Sequence, residues 1–328
     1  MSSERSFGLG TFAAAAPDAF PGLVVDGQII DLRAHLGAET TVEGLLADWD
    51  QSLPKLESLT GAAPSIALSQ ARPLPPLRPR QLLCAGANYR RHVLQIVVSA
   101  LKVDGDQRPE QELRAEAERQ LQRVLVADPF LFAGLPSALC GADDEIVLWG
   151  PGHCHDWELE LAVVIGRAGR HIPEGQALEH VAGYMACNDI STRDVMNRPR
   201  FPMTDFLATK CRPTFFPAGP YIVPRRFVPD PEQLQITLRV NGEVMQDESV
   251  SDIIHGVARL VSYASRLVGI APGDVILTGS PAGNAGHHGD RWLVPGDRIV
   301  GEITGLGTQS NVCVAAPEQP VPEAERQA

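Results

Sequence analysis

The chain has 328 residues, 44% of them hydrophobic and 21% charged, the balance of a folded globular protein with room for one large domain or two modest ones. Its 30 glycines and 27 prolines follow no three-residue period, which excludes collagen and favours a turn-rich β architecture. Lys and Arg total 28 against 40 Asp and Glu, a net charge of −12, and with no basic block this argues against a nucleic-acid partner. In chain order, Leu23–Ile30 carries an Asp26-Gly27 turn between apolar runs and predicts a hairpin. Thr41–Leu59 places Leu45, Leu46, Trp49, Leu53 and Leu56 near a helical period. The stretch Ala71–Pro79 is too proline-dense for a helix or a central strand and reads as a linker, about 73–80, after an N-terminal domain of residues 1–72.

A second unit, 81–316, opens with the short buried strand Leu82–Gly86. The segment 93–129 is long and charged. Within it Leu113, Ala117 and Leu121 form a thin apolar stripe on a polar helix over 104–123, which is either a solvated surface helix or a lid. Leu159–Ile165 predicts a buried strand. Leu234–Val240, Asn241-Gly242 and Glu243–Met245 predict a second hairpin, and Ile253–Leu267 an amphipathic helix. Pro272-Gly273-Asp274 and Pro295-Gly296-Asp297 are tight turns feeding β-branched runs. The polar end, 317–328, reads as a disordered tail.

No apolar run has the length of a membrane span, and the first residues lack the pattern of a signal peptide. Six scattered cysteines without a C-x-x-C pair point to reduced thiols and a cytoplasmic protein.

The sharpest chemical signal is Asp156–Gly166. Side chains alternate across a strand, so Glu158 and Glu160 share a face. Two neighbouring carboxylates entering a buried strand repel each other and resist desolvation, and a cation between them removes both costs. Hard oxygen donors favour Mg²⁺, Mn²⁺ or Ca²⁺ over Zn²⁺. The alternative is a pair of glutamates on a wet sheet face. Asp189, where a second strand enters a polar turn, offers a third carboxylate. His153-Cys154-His155 is a rival Zn²⁺ set by composition, but adjacent residues rarely converge on one ion. His287-His288 reads as loop.

Taken together, Asn88-Tyr89-x-x-His92, Glu158-x-Glu160, Asn188-Asp189 with Arg193-Asp194, Lys210, Gly219-Pro220, Leu277–Gly283 and Pro295-Gly296-Asp297 resemble the fumarylacetoacetate hydrolase family, in the family's order over residues 80–315. The resemblance implies an α+β, β-rich fold: a mixed β-roll catalytic domain with a smaller N-terminal α/β domain, usually homodimeric. It implies a divalent metal, Mg²⁺, Mn²⁺ or Ca²⁺, held by Glu158, Glu160 and Asp189. The implied substrate is a 2-oxo or diketo acid, as in the catabolism of aromatic compounds. The expected reaction is hydrolysis of a C–C bond in an acylpyruvate, with a lyase or isomerase reaction as the alternative and a non-catalytic member as a remoter one. By the same resemblance His92 is the general base, Lys210 and Arg193 receive the substrate anion, and Tyr89, Thr278 and Ser280 contact substrate. Arg193 has the alternative of pairing with Asp194.

Three departures stand out. Gln95 occupies the place of a glutamate that pairs with the histidine. The run Phe132–Ser137 lacks a lysine, and Met196 replaces a glutamine. Lid acids Glu110, Glu112, Glu116 and Glu118 are candidates to supply what Gln95 lacks.

Overall fold

The computed structural model describes residues 5–14, 19–103, 105–198 and 201–317; apart from Pro317, the expected tail lies outside them. A seven-strand path forms the centre. Its order is Leu131–Gly134, Leu82–Ala85, Val275–Leu277, Leu159–Ile165, Val181–Asn188, Phe216–Ala218 and Leu139–Gly141. The pairing is mixed, since Leu82–Ala85 runs parallel to Val275–Leu277 while Leu159–Ile165 is antiparallel to both its neighbours. A five-stranded sheet packs on one side, ordered Glu243–Ser249, Gln235–Val240, Arg298–Ile303, Thr308–Ala315 and Ile146–Leu148. The fold is α+β and β-rich.

Every residue of Leu159–Ile165 is buried. A strand covered on both faces reads as a continuous apolar run, which is why the sequence shows no polar alternation after Glu160. Leu159, Leu161, Val163 and Ile165 join the core that includes Ile236, Leu238, Ile299 and Ile303 of the five-stranded sheet. Ala162 and Val164, on the opposite face, pack in the core that includes Leu9, Leu23, Leu46 and Trp49 of the N-terminal segment. Glu158 and Glu160 continue that second face.

The N-terminal sheet is antiparallel, ordered Ile66–Ala67, Gln28–Asp31, Ala19–Val25, Gly8–Ala13 and Arg72–Pro73. The predicted hairpin forms with Asp26 and Gly27 both at positive φ, 49° and 74°, the backbone a two-residue turn needs. The helix expected over Thr41–Leu59 is two helices, Val42–Ala47 and Trp49–Ser58, broken at Asp48. The proline-rich stretch is not a free tether. Pro73 pairs with Phe12, the Leu74 amide donates to the Thr11 carbonyl at 2.9 Å, and Leu77 is buried. Proline tolerates an edge strand because it owes no donor on its outer side.

The segment 93–129 is a helical hairpin, Arg90–Val103 and Glu110–Val126. The second helix begins later than 104 because Pro109, with φ −54° and ψ 146°, stands as its N-cap. Its stripe, Leu113, Ala117 and Leu121, is fully buried, so the helix is packed, not a solvated element. The helix expected from Ile253 starts at Val257, since Ile253 bridges Tyr89 and the His255 amide is taken by Asn88 Oδ1. Among the described residues no helix is long and apolar enough to cross a membrane.

Candidate metal centre

Two antiparallel strands build the centre. Leu159 faces Asn188 and Glu160 faces Cys187 in the register, and the Asp189 amide donates to the Glu158 carbonyl at 2.8 Å. The pairing therefore brings Glu158, Glu160 and Asp189 to one point, with one carboxylate oxygen of each within 4.8 Å of the others and all three buried. Asn188 reinforces the junction by accepting from the Glu158 amide at 2.8 Å. Glu160 is held by the Gly279 amide at 2.6 Å. Gly279 has φ +95°, and a Cβ there would lie 2.9 Å from the Asn88 Cβ, so both the turn and the close approach require glycine.

Two cations lie among these acids, Lys210 buried and Arg193 partly buried. Lys210, at the end of the helix Phe206–Lys210, donates to Glu158 Oε2 and Asp189 Oδ2, both at 2.6 Å. That helix is capped by Asp205, which accepts from the Ala208 amide at 2.9 Å. Arg193 does not pair with Asp194. Its Nε donates to Asp156 at 2.8 Å and its Nη2 to Glu158 at 2.5 Å, while Asp194 accepts from the His153 and Cys154 amides. Asp156, with no role assigned from sequence, also accepts from the Trp157 and Ala285 amides. It orients Arg193 from behind.

The charges set the electrostatics. Burial favours a protonated Glu158, but Lys210 and Arg193 outweigh it and hold the carboxyl down at about 2. Burial raises Asp189 to about 6 against the pull of Lys210. For Glu160, burial and the neighbouring Asp189 and Glu158 charges push the carboxyl well above its usual range. Burial opposes the charge on Lys210, yet Asp189 and Glu158 hold its proton tightly. Four carboxyl groups face two cations here, and a divalent cation would let the ones that burial holds protonated ionise. Asp189 Oδ1 is buried without a hydrogen-bond partner. An orphaned acceptor in an all-oxygen acidic triad fits a hard divalent cation. Among the described residues this is the only grouping of three metal-ligating side chains. His155 instead bonds Thr192 Oγ1 at 3.0 Å, and no zinc set forms with His153 and Cys154.

A cavity of ≈170 Å³ opens on the triad, lined by Glu158, Glu160, Arg193, Lys210, Ser280 and His92 among others. His92 lies in the first turn of Arg90–Val103, buried, with Nδ1 unpartnered. Burial pushes its pKa down to about 4, so the ring is neutral at pH 7. Asn88 anchors the start of this helix, donating to the Thr278 and His255 carbonyls at 2.8 and 3.0 Å. Ser280 reaches the cavity and is positioned by Gln246 at 3.1 Å. Tyr89 and Thr278 are fully buried behind it and do not line it, and the Tyr89 hydroxyl interacts with Thr278. The lid acids do not meet His92. Glu110 pairs with Arg114 and Glu116 with Arg119. Glu110 and Glu118 line a separate cleft of ≈500 Å³ with Gln95 and His287.

The sequence profile of the fumarylacetoacetate hydrolase C-terminal domain matches residues 81–314. The chain belongs to the fumarylacetoacetate hydrolase family. It is 31% identical over 296 residues to a maleylpyruvate hydrolase of Aquipseudomonas alcaligenes, covering 88% of this chain and 94% of that protein. It is 32% identical over 316 residues to the human mitochondrial oxaloacetate tautomerase FAHD2A, covering 88% and 92%. Among solved structures, maleylpyruvate hydrolase from Sphingobium sp. SYK-6 in complex with manganese(II) and pyruvate superposes with a TM-score of 0.73 at 25% identity, covering 94% of this chain and all of that one. These relatives are enzymes, and the reactions in their names differ. The buried triad and the manganese-bound relative together support divalent-metal binding in this family member.

Proposed function

We propose that this chain hydrolyses a carbon–carbon bond in an acylpyruvate-type 2,4-dioxo acid, with Glu158, Glu160 and Asp189 holding Mg²⁺, Mn²⁺ or Ca²⁺. The observation that carries the reading is a buried, neutral, unpartnered histidine facing the same cavity as the buried acid triad. A divalent cation there supplies Lewis acidity to the 2-oxo group. Arg193 and Lys210 provide the positive charge that receives the acid end, and both are catalytic in this sense. Ser280 makes the direct hydroxyl contact, while Tyr89 and Thr278 position the loop that carries it. His92 takes a proton from water as the water adds to the C4 carbonyl. The C3–C4 bond then breaks, its electron pair stays with the three-carbon fragment, and the proton returns to C3.

A second reading has its own support. Gln95 cannot act as a carboxylate base, and the helix acids pair away from His92. A lone neutral histidine suffices for proton transfer between carbon and oxygen, the chemistry of a tautomerase or isomerase. Product analysis on acylpyruvates, oxaloacetate and 2-oxo-enoates, with enol absorbance followed in parallel, separates the two. Release of pyruvate and a carboxylic acid supports hydrolysis; turnover of oxaloacetate alone replaces it with the second reading. Gln95→Glu is expected to raise hydrolysis. The remoter non-catalytic reading predicts no bound metal after purification. Assembly is proposed as a homodimer through the catalytic domain, tested by light scattering for twice the chain mass of 35.3 kDa.

A further inference from the structure

The cavity has two unlike walls. At one end the charged side chains bind one another: Arg193 to Asp156 and Glu158, Lys210 to Glu158 and Asp189. At the other end are Ile96, Phe130, Phe132, Met196 and Phe206. Phe132 stacks on Phe206 at 4.4 Å and 10°, and Phe130 lies 5.9 Å from Phe206. The boundary falls where Lys210 Nζ sits 5.6 Å from the Phe132 ring centre. Beyond it the wall carries only apolar side chains among the described residues, and it continues to the mouth, where Phe130 is 54% and Ile96 42% exposed. Large apolar side chains converging at the mouth of a polar site mark a surface meant to be covered.

We infer that the part of the substrate beyond its oxo-acid end is apolar, an alkyl or aryl group in place of a second carboxylate. The inference rests on the oxo-acid reading above and deepens it. A carboxylate laid among three phenylalanine rings would lose its hydration with no cation among the described lining residues of that wall to replace it. An aryl or alkyl group there gains burial and ring contacts instead. The described cations of the cavity are held at the acid end by their own carboxylates, so neither is free to follow a distant anion along the wall.

The test uses matched pairs of ligands on the manganese-loaded protein. Calorimetry compares phenylpyruvate with 2-oxoglutarate, and steady-state kinetics compares 2,4-dioxo acids ending in phenyl and in a carboxylate-bearing chain. The phenyl-ended member is expected to bind, and to turn over by kcat/KM, about 10-fold better or more, the scale of one added apolar group in a fitting pocket. Ile96→Lys, at the exposed rim, should narrow or reverse the ratio with manganese affinity unchanged. A wild-type ratio at or below one, or a ratio unmoved by Ile96→Lys, overturns the inference. A binding preference for the phenyl end without turnover of either dioxo acid upholds it and removes the hydrolytic reading alone. Failure of both 2-oxo acids to bind overturns both.

Discussion

The two ends of one strand face share burial and little else. At the Val164 end, Ala162 and Val164 lie in a core of aliphatic and aromatic side chains, and burial there is favourable by the ordinary hydrophobic gain. At the Glu158 end, on the same face, four buried carboxyl groups surround a buried lysine and a partly exposed arginine. The contrast shows which end holds the fold and which end is kept for chemistry. Burying an ion cluster is at best neutral for stability compared with apolar packing. Stability alone therefore does not account for the acidic end, where carboxyl groups outnumber cations.

Removing one carboxylate should break the symmetry of the comparison most strongly. Glu160→Gln should abolish activity and weaken Mn²⁺ binding by more than the roughly 10–100-fold typical of an outer-sphere partner. In the metal-free protein the same substitution should leave the melting temperature unchanged or higher, because it removes a carboxyl that burial and like charges oppose. A clear drop in metal-free stability would argue that Glu160 is structural.

His92→Ala comes next. A general base contributes about 10²–10⁴-fold to the rate, so kcat on the best substrate should fall by that order with metal affinity intact by calorimetry. Near-full activity would move the assignment to a reaction without water attack.

Val164→Ala sharpens the comparison from the dry end. Loss of two buried methyl groups should cost about 2 kcal/mol in denaturant unfolding, with Mn²⁺ affinity unchanged. Altered metal binding would mean that the two ends are mechanically linked.

A further effect is in pH. Asp189 is raised from 3.8 to about 6 in the folded chain, so in that interval the folded state holds more protons than the unfolded one. Its contribution to metal-free stability is full below about 4 and is lost as pH rises through about 6. Glu158, depressed to about 2, acts in the opposite sense at lower pH, with stability lost as pH falls toward 2. Unfolding curves of the metal-free wild type and of Asp189→Asn between pH 4 and 7 should differ in slope, the wild type declining more steeply.

Much of this was legible in the sequence because it is local. Alternation along a strand put Glu158 and Glu160 on one face, and the Asp26-Gly27 and Asn241-Gly242 dipeptides marked hairpins that form. Asp189 was legible as a third carboxylate where a second strand enters a polar turn, and the Leu159–Asn188 register brings it into place. What stayed hidden depends on distant segments meeting. Asp156 stood in plain view beside Glu158, but its task follows from Arg193, 37 positions later. The apolar wall is assembled from residues 96, 130, 132, 196 and 206, none of which forms a motif alone. The stripe of Leu113, Ala117 and Leu121 looked too thin to pack because its partner helix, Arg90–Val103, went unrecognised.

That helical hairpin gives the cavity His92 and Ile96, yet no carboxylate of the triad. It enters the fold at Asn88, whose side chain is tied to the Thr278 and His255 backbone, and leaves it before Phe130. The acid triad and the part of the cavity lining formed by His92 and Ile96 thus come from separate stretches of chain. Residues 90–126 form a cassette: an engineer can exchange it for another hairpin with the histidine kept in its first turn, and retune which molecules are accepted without rebuilding the charged end.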